Sequence, residues 1–517
     1  MKKILLLIGG MWAITAYGQF PDVVDSTFGN NGVAIFSPSA TVNNVVGSAM
    51  VSTNDGTLVA GTTDGANDDI FVLKVDKNGK PDSSFFGSGK VIYDPQLGAN
   101  DQVYNMDVQP DGKILLCGRT QGQTYTQSLV MRLNPDGSLD STFNQQGWLK
   151  FSFVGNNNSA YKVRWYDNVI YVACSSTINN SSFIYMAALE DNGNFYGDFG
   201  MFGFEIININ GNDKEVFRDF EITPNKEIVV LGTTNDGVKT HQFVQKVDSE
   251  GYIMNGFGTN GTYLYNTNNA VSLRGLELAP NGSIYLAGFE NTGDFAGAII
   301  KLTSGGQLDN TFASGNGKAF FNVTNKTESE RFLDIKYVND TVIHVLGMYT
   351  DDNNISHALT VVYKSNGLLN TNYLGNGYAY YTAPAGYNTY SFNDVCVNSD
   401  GSLVFVGQVI DDNLGASQVI MRKMKKYVPP TVYIGDKVFT DNSISLFPNP
   451  TSGVLQVKSL LKINDIRVYN TTGSLQAVLP GTIDNRYHLP AHLPGGLYYL
   501  MLNTSEGMHT EKILLQR

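Results

Sequence analysis

The chain is short of the residue types that most often carry chemistry. It has three cysteines, six histidines and three tryptophans among 517 residues, and only 16% of its residues are charged. Three cysteines match neither a disulfide framework nor a metal motif, so we expect Cys117, Cys174 and Cys396 to be small buried strand residues. The HExxH, paired CxxC, GxSxG and P-loop motifs are absent, as is GxGxxG in a βαβ context. A site assembled from distant segments would leave no such motif.

Basic stretches and long apolar runs are also scarce. The net charge of −12 disfavours nucleic-acid and anionic-membrane partners, which are bound through basic stripes. The one compact basic run, residues 422–426, is interpreted as a solvated strand end. Beyond the N-terminus no segment approaches ~18 uninterrupted apolar residues, so we expect no integral membrane segment in the mature protein.

The N-terminus has the pattern of an export signal. Residues 1–18 read MKKILLLIGGMWAITAYG, with two lysines before an apolar stretch that is short for a membrane span. Ala16-Tyr17-Gly18 supplies a small-x-small cleavage site. We therefore predict a signal peptide over residues 1–18.

Glycine and aromatic residues are abundant, with 54 Gly, 28 Tyr and 28 Phe. Aromatic and β-branched residues interrupted by Gly, Asn and Asp suit short strands joined by tight turns. Few stretches show a helical period, which favours an all-β fold.

One short motif recurs along the chain. It reads VDSTFGNNG at 24–32, LDSTFNQQG at 139–147 and LDNTFASGNG at 308–317. Aligned on its aromatic residue, it occurs at Phe28, Phe85, Phe143, Phe199, Phe257, Phe312 and Tyr373. The intervals between these aromatic residues, with about four strands in each interval, predict a β-propeller. A solenoid is the alternative, although its coils are usually shorter.

The order of the elements predicts how the ring closes. There are seven motif-plus-strand elements and seven three-strand sets, and the chain begins with the first kind and ends with the second. We predict seven blades over residues 19–426. The strand near Val33–Phe36 then completes the blade that contains Phe392–Met424, which leaves no open edge.

Within the motif we expect structural roles. Asp and Ser or Thr bond nearby backbone amides, the aromatic ring packs into the neighbouring blade, and the Gly takes a positive φ. A further Gly recurs at the end of the third strand, as at Gly61 and Gly118, with Cys174 in its place in the third repeat. It indicates close backbone approach or a bulge, which would suit a contact between blades. No cofactor is expected, and calcium is the one metal left open. The nearest approach to a calcium loop is Asp64 with Asp68 and Asp69, which lacks the D-x-D-x-D spacing.

Candidate binding residues come from the second strand of each repeat. If that strand lines the axis, its polar positions face the channel, and the acidic ones outnumber the basic ones. They are Asn105, Asp107, Arg164, Asp219, Glu221, Glu277, Asp334, Lys336 and Asp394. Such a channel mouth attracts a cation or polar ligand, or else it is a wet channel with mutually compensating charges. The histidines do not cluster: His344 lies in an apolar run and is expected to be buried, and His241 and His357 lie near separate turns.

The motif elements together resemble a known family. LDSTF…G, QPDGKILLCG and LNPDG are similar to the delta-60 repeat, a family of bacterial β-propeller-like repeats, over residues 24–426. The resemblance implies the fold and carries no defined activity.

The end of the chain differs from the repeats. Residues 427–441 contain a Pro pair and read as a linker, and 442–517 predict a small Ig-like β-sandwich of short alternating strands. This segment resembles the type A C-terminal sorting domain of the type IX secretion system of Bacteroidota. The matching residues are Phe447, Pro448, Asn449, Pro450, Thr451, Gly453, Gly496, Tyr498 and Lys512. His488, His492 and His509 belong to this segment.

The resemblance implies an export route. The partners would be the type IX translocon and sorting machinery, with cleavage in the linker followed by release or attachment to the cell surface. We therefore expect a secreted or surface-located, non-enzymatic propeller with a binding, adhesive or structural role and a glycan or surface-protein ligand. The alternative is a secreted hydrolase or lyase acting on polysaccharide or lactone substrates at the channel mouth.

Overall fold

The computed structural model describes most of the chain. The described residues are 24–37, 44–64, 67–122, 124–153, 155–179, 181–209, 214–293, 295–322, 329–339, 342–351, 355–374, 376–398, 400–425, 444–459, 462–471, 474–482, 484–504 and 507–517. The predicted signal peptide and the predicted linker lie outside the described residues. The chain divides into two compact units, Met1–Tyr427 and Val428–Arg517.

The described part of the first unit is built almost entirely from antiparallel strands arranged in seven four-stranded sheets. Sheet 1 contains β2 (Asn44–Ser52), β3 (Gly56–Asp64), β4 (Asp68–Asp76) and β5 (Lys90–Tyr93), and sheet 2 contains β6 (Asp101–Val108), β7 (Ile114–Gln121), β8 (Thr126–Leu133) and β9 (Trp148–Phe151). Sheet 3 contains β10 (Asn157–Tyr166), β11 (Val169–Ile178), β12 (Ser181–Leu189) and β13 (Phe204–Ile207), and sheet 4 contains β14 (Val216–Ile222), β15 (Ile228–Asn235), β16 (Thr240–Val247) and β17 (Thr262–Tyr265). Sheet 5 contains β18 (Val271–Leu278), β19 (Ile284–Asn291), β20 (Phe295–Leu302) and β21 (Lys318–Phe321), and sheet 6 contains β22 (Ser329–Asn339), β23 (Val342–Thr350), β24 (Ser356–Tyr363) and β25 (Tyr378–Tyr381). Sheet 7 contains β26 (Tyr387–Val397), β27 (Leu403–Asp411), β28 (Ser417–Met424) and, at its outer edge, β1 (Val33–Phe36). A single 3-10 turn, Ala313–Gly315, precedes β21.

The sheet from the end of the unit takes its fourth strand from the beginning. β1 pairs antiparallel with β28, with Val33 opposite Arg422 and Phe36 opposite Val419. The first strand of each sheet contacts the first strand of the next, and β26 contacts β2. The architecture is therefore all-β and propeller-like.

The middle strands of each sheet are apolar along their length because both of their faces are covered. In β7 the run ILLCG is buried throughout. Leu116 of this strand packs in one core with Val72 of sheet 1, whereas its neighbour Leu115 packs with Val172 of sheet 3. Alternate side chains of one strand thus fill the two interfaces of a sheet.

The recurrent motif has the local roles predicted for it. In the second repeat Asp82 Oδ1 accepts hydrogen bonds from the backbone N of Ser84 (3.0 Å) and from its hydroxyl (2.7 Å). The Phe85 ring is buried and packs against Gly137 of the next sheet, where a Cβ would lie 2.7 Å from the ring. Gly89 has a φ of 82°, which is inexpensive only for glycine.

The motif also has a partner that sequence reasoning missed. A cation near the end of the third strand of the sheet pairs with the Asp of the motif that follows that strand or, for the last sheet, with the Asp of the first motif. The pairs are Lys74–Asp82 (3.1 Å), Arg132–Asp140 (2.7 Å), Lys301–Asp309 (2.9 Å) and Lys423–Asp25 (3.2 Å). In these repeats the motif is therefore an electrostatic clamp as well as a turn. The interpretation of 422–426 as solvated was wrong for Lys423, which is buried with Asp25.

A β-bulge interrupts the first strand of every sheet. In β6 the register shifts between Val103 and Asn105, so Tyr104 has no direct partner on β7. Gly118 stands opposite Val103, and a Cβ there would lie 1.8 Å from the Gln102 carbonyl oxygen. The recurrent Gly, on the second strand of the sheet, thus admits the bulged neighbour within its own sheet, as the bulge interpretation predicts. At Gly232 a neighbouring sheet is close as well, since a Cβ there would lie 3.0 Å from Ile184 Cδ1 of sheet 3.

The second unit contains two described sheets. One consists of β29 (Ile444–Phe447), β30 (Val454–Ser459) and β33 (Arg486–His488), and the other of β32 (Leu475–Pro480), β31 (Ile463–Asn470), β34 (Gly496–Thr504) and β35 (Gly507–Leu515). Their buried faces share one core that includes Leu455, Ile466, Tyr487, Leu500 and Ile513.

Candidate functional site

The predicted polar residues lie on the first strand of each sheet, which is the second strand of each sequence repeat. These strands are the sheet edges that face one another. An edge strand presents unpaired backbone amides, and several of the predicted carboxylates accept from them. Asp219 Oδ2 accepts from Leu276 N at 2.7 Å, and Asp394 Oδ2 accepts from Met50 N at 2.8 Å. Each bond joins one sheet to the next, so these acids stitch neighbouring sheets together.

Asn105 and Asp107 of sheet 2 have the same role toward sheet 3. Asp107 Oδ2 accepts from Trp165 N at 2.7 Å, and Asn105 Oδ1 accepts from Val163 N at 3.3 Å. Arg164 Nη1 also donates to Asn105 Oδ1 at 3.2 Å.

The remaining charges form ion pairs, most of them across two other sheet boundaries, between sheets 3 and 4 and between sheets 5 and 6. Lys162 Nζ lies 2.5 Å from Asp219 Oδ1 and 2.7 Å from Glu221 Oε1, and Arg164 Nη2 lies 3.1 Å from the same Glu221 oxygen. Lys162 was not among the predicted residues. A looser group joins sheets 5 and 6, where Lys336 Nζ lies 3.3 Å from Asp334 Oδ2 and 3.7 Å from Glu277 Oε2.

Burial and neighbouring charges lower the pKa of one of these carboxyl groups and raise the pKa of several others. Burial opposes the ionisation of Glu221, but the Arg164 and Lys162 cations prevail and hold its pKa at about 2. Burial raises the pKa of Glu277 to about 7 against the opposing effect of Lys336. Burial, followed by the Asp334 carboxylate, raises the pKa of Asp394 to about 6. Burial also raises the pKa of Asp107 and of Asp219.

The structure thus places the nine predicted residues on neighbouring first strands, and it gives most of the eight charged ones fixed partners. Six are acidic and two are basic, and Lys162 adds a third cation. The carboxylates that bond backbone amides or cations of the next sheet are held in place by those contacts. Glu277, whose cation is 3.7 Å away, is the least constrained of the ion-paired carboxyls.

A second set of residues on the same strands was missed. The residue extruded by each bulge is at least partly exposed, whereas the residue before it is buried. We call this set the bulge ring. Its members are Ser48, Tyr104, Tyr161, Arg218, Arg274, Leu333 and Asn393. Aligning the segments YNMD, YKVR, RDFE and RGLE by repeat would have revealed it, because alternation along the strand fails at a bulge.

Neighbouring members of the bulge ring are in contact. The Tyr104 and Tyr161 rings stack with centroids 5.1 Å apart and planes 9° apart. Tyr161 is 40% exposed and its ring centroid lies 6.2 Å from that of Phe217. Asn393 Nδ2 donates to Gly47 O of sheet 1 at 2.9 Å.

The bulge ring also places arginines side by side. Burial and then the charge of Arg274 lower the pKa of Arg218, and burial and then the charge of Arg331 lower the pKa of Arg274. Arg331, one residue before the buried Phe332, lies over the rings of Phe289 (5.2 Å) and Phe295 (5.1 Å). Within the described residues, Arg218 Nε has no hydrogen-bond partner.

A cavity of about 370 Å³ lies elsewhere, beside the turn between β10 and β11. Its lining includes Tyr166, Tyr171 and Tyr196 together with Asp198 and Lys226. Tyrosine rings with polar neighbours suit a neutral sugar, which makes this cavity a natural comparison for the bulge ring.

The remaining candidates have structural surroundings. Burial lowers the pKa of His344 to about 4, as expected for a buried imidazole. His241 and His357 each pair with an Asp of their own turn, at 2.8 and 3.2 Å. All three cysteines are buried and free. In the calcium candidate, Asp68 accepts from Gln102 Nε2 at 2.7 Å, and the described residues contain no metal-ligand group of three or more.

In the second unit the sorting-motif residues meet at one edge. Asn449 Nδ2 donates to Lys512 O (2.8 Å), and Asn449 Oδ1 accepts from Leu514 N (2.9 Å). Thr451 N donates to Leu514 O at 2.9 Å, and Tyr498 OH donates to Pro494 O at 2.9 Å. Gly453, with a φ of 121°, and Gly496 begin the segments that lead into β30 and β34. Phe447, Pro448 and Pro450 are exposed beside these contacts in the sequence.

Comparison with known families agrees with both resemblances. Residues 109–143 match the family described as a domain of unknown function (DUF5122) beta-propeller, and residues 445–516 match the secretion system C-terminal sorting domain. The chain therefore contains a segment of a β-propeller repeat family and, at 445–516, a secretion sorting domain. The sorting domain indicates type IX secretion, which delivers the protein to the cell surface or out of the cell.

Solved structures with similar folds are remote. A polysaccharide lyase, Uly1, is 10% identical with a TM-score of 0.46, covering 76% of this chain and 92% of that one. The PQQ-bound aldose sugar dehydrogenase of Streptomyces coelicolor is 12% identical with a TM-score of 0.36, covering 61% and 91%. The endo-arabinase of Bacteroides thetaiotaomicron is 12% identical with a TM-score of 0.30, covering 62% and 93%. These likenesses decide nothing about activity. No curated protein matches the chain.

The described residues contain no helix that is both long and apolar enough to cross a membrane.

Proposed function

We propose that the chain is an exported, seven-bladed propeller that binds its ligand at one mouth of the central channel and does not turn it over. The seven sheets are the blades, and β1 closes the ring by pairing with β28. The proposed domains are a signal peptide (1–18), the propeller (19–426), a linker (427–441) and the sorting domain (442–517). The export machinery is that of a Bacteroidota cell.

The observation that carries this proposal is that the channel carboxylates already bond backbone amides or cations of the neighbouring sheet. Asp107, Asp219 and Asp394 accept backbone amides of the next sheet at 2.7–2.8 Å, and Glu221 is held by two cations. Groups fixed in this way serve the scaffold. The exposed side chains of the bulge ring remain to meet a ligand.

A second candidate function rests on Glu277. With a pKa of about 7 this carboxyl exchanges a proton at neutral pH, as a general acid or base must. In that case the chain would be a hydrolase or lyase acting on polysaccharide or lactone substrates.

A glycan array probed with the full chain, together with turnover assays on the bound glycans, separates the two. Binding without turnover is expected. Turnover that is lost in Glu277→Gln and retained in Glu205→Gln would establish the enzyme instead, since Glu205 also has a raised pKa but lies on β13, outside the first strands.

The export route has its own test. Removing residues 444–517 should leave the protein inside the outer membrane, as judged by cell fractionation. Secretion of the truncated chain at the normal level would contradict the role of the sorting domain.

A further inference from the structure

The bulge ring contains a continuous arc of two tyrosines and two arginines. Tyr104, Tyr161, Arg218 and Arg274 come from the consecutive sheets 2, 3, 4 and 5, each at the extruded position of its first strand. Because the four positions are equivalent in the repeat, their side chains emerge at the same level of the channel. The stacking of Tyr104 on Tyr161 shows that neighbouring members of the arc are in contact.

We propose that this arc is a binding site for an anionic polysaccharide, with the arginines holding carboxylate or sulfate groups and the tyrosines supporting a sugar ring. This inference rests on the proposed binding function and names the class of its ligand. Guanidinium groups bind planar anions through paired N–H donors. Aromatic faces carry negative charge density that suits the C–H groups of a sugar ring.

The arginines of the arc repel one another. Arg218 and Arg274 lie close enough to repel each other, and Arg331, held over two aromatic rings, adds a third positive charge beside Arg274. Like charges gathered at a partly desolvated site are relieved when an anion binds between them. A structural role for these arginines would be expected to pair them with carboxylates, as Arg132 and Arg164 are paired.

The surroundings limit the direction of binding. Asp68, Asp69 and Asp101 lie near Gln102 at the other end of the arc, on sheets 1 and 2. Arg119, whose Nε donates to Gln102 Oε1 at 3.0 Å, offsets part of this negative charge. We expect the chain of sugars to run from the tyrosine pair toward the arginines of sheets 4 and 5.

The test is calorimetric titration of the full chain with polygalacturonate, dextran sulfate and neutral dextran at low salt. We expect binding to at least one polyanion and none to dextran, and the two polyanions separate carboxylate from sulfate recognition. Arg218→Gln with Arg274→Gln should weaken binding by about tenfold or more, since each charge-assisted contact is typically worth more than a neutral one. Binding should also weaken as salt rises.

Matched variants make the result specific. Lys77→Gln with Lys80→Gln removes the same charge from exposed turn residues of sheet 1 and should leave binding unchanged. Tyr161→Ala should weaken binding, and Tyr161→Phe should restore most of it. Circular dichroism and the thermal midpoint of each variant confirm folding.

Two outcomes would overturn the inference. Equal loss in the arginine and lysine pairs would reduce the effect to net charge. Binding of dextran that is unaffected by the arginine changes but lost in Tyr166→Ala would move the site to the tyrosine-lined cavity. In that second case the proposed binding function would stand and only the anionic arc would fail, whereas turnover of a polysaccharide would defeat the proposed function itself.

Discussion

Lys423 Nζ lies 3.2 Å from Asp25 Oδ2, which joins the last strand of the repeat region to the first copy of its motif. The same pair is made within a continuous stretch of chain in other repeats, as in Lys301–Asp309 at 2.9 Å. The two ends of the first unit therefore use the same clamp that the interior repeats use.

The first prediction concerns this junction. Asp25→Asn should lower the free energy of unfolding by roughly 1–3 kcal/mol, because Lys423 would be left buried without its counter-ion. Deleting residues 19–37 should cost more, since it also exposes the edge of β28. Thermal unfolding measures both.

Asp412→Asn is the control for this pair, because Asp412 is exposed and its side chain makes no contact among those described. Its thermal midpoint should equal that of the unmodified chain. An unchanged midpoint after the deletion would contradict closure by the N-terminal strand.

The second prediction uses the equivalent cations of two repeats. Arg132 is 0% exposed and bonds Asp140, Thr142 and Asp191, the last from the next repeat. Arg132→Met should cost about 2–3 kcal/mol, because the buried Asp140 loses the nearer of its two cations and keeps only Lys113, whose Nζ lies 3.3 Å from Asp140 Oδ2. Lys74→Met, at the same register with more exposed partners, should cost about 1 kcal/mol. Denaturant titration distinguishes them, and equal losses would show that burial of the network is not what matters.

The third prediction concerns the glycine opposite the bulge. Gly118→Ala brings a methyl group to 1.8 Å from the Gln102 carbonyl oxygen, so the bulge must shift, at a cost of about 2 kcal/mol or more. Gly256→Ala is the matched control, since nothing lies within 4 Å of a Cβ there. Ligand binding at Tyr104 should fall together with stability in the first variant. A fully stable Gly118→Ala protein would rule out the steric account.

The fourth prediction is a pH dependence that arises from Glu277. Its pKa is about 7 in the folded state against 4.5 ordinarily, so the folded state binds the proton more tightly. Stability is then fully present below about pH 4.5 and falls as the pH rises toward 7. Glu277→Gln should remove this fall and be more stable than the parent at pH 8, on the order of 1–3 kcal/mol. Identical stability-against-pH curves for the two proteins would refute the assignment.

Much of the fold follows from the sequence because each repeat contains the same turn and the same aromatic packing contact. Each copy of the motif fixes a turn through its Asp and Ser or Thr, and the aromatic ring reports the spacing of the sheets, as Phe85 against Gly137 shows. The pairing of Val33–Phe36 with the final set of strands could be read from the order of elements alone.

The site was only partly predictable, and the bulge explains why. Reading alternate positions as one face selected Asp107, Asp219 and Glu277, which the structure places on the first strands of their sheets. The same rule skipped Tyr104 and Arg218, because an extra residue shifts the phase of alternation and sequence spacing alone does not reveal it. The role of Asp219 was also hidden, since its acceptor contact with Leu276 N depends on how two sheets meet.

The glycine and the bulge together separate the residues that stabilise each sheet from the residue that each bulge exposes. In six of the seven sheets a glycine stands opposite the residue before the bulge, and in sheet 3 that place is taken by Cys174. These residues and the buried aromatic of the motif hold the blade, and none of them constrains which side chain the bulge extrudes. Seven such positions, one per sheet, can then change by single substitutions without disturbing the core. Related proteins can therefore differ in ligand through substitutions at these positions alone, with the four-stranded sheets unchanged.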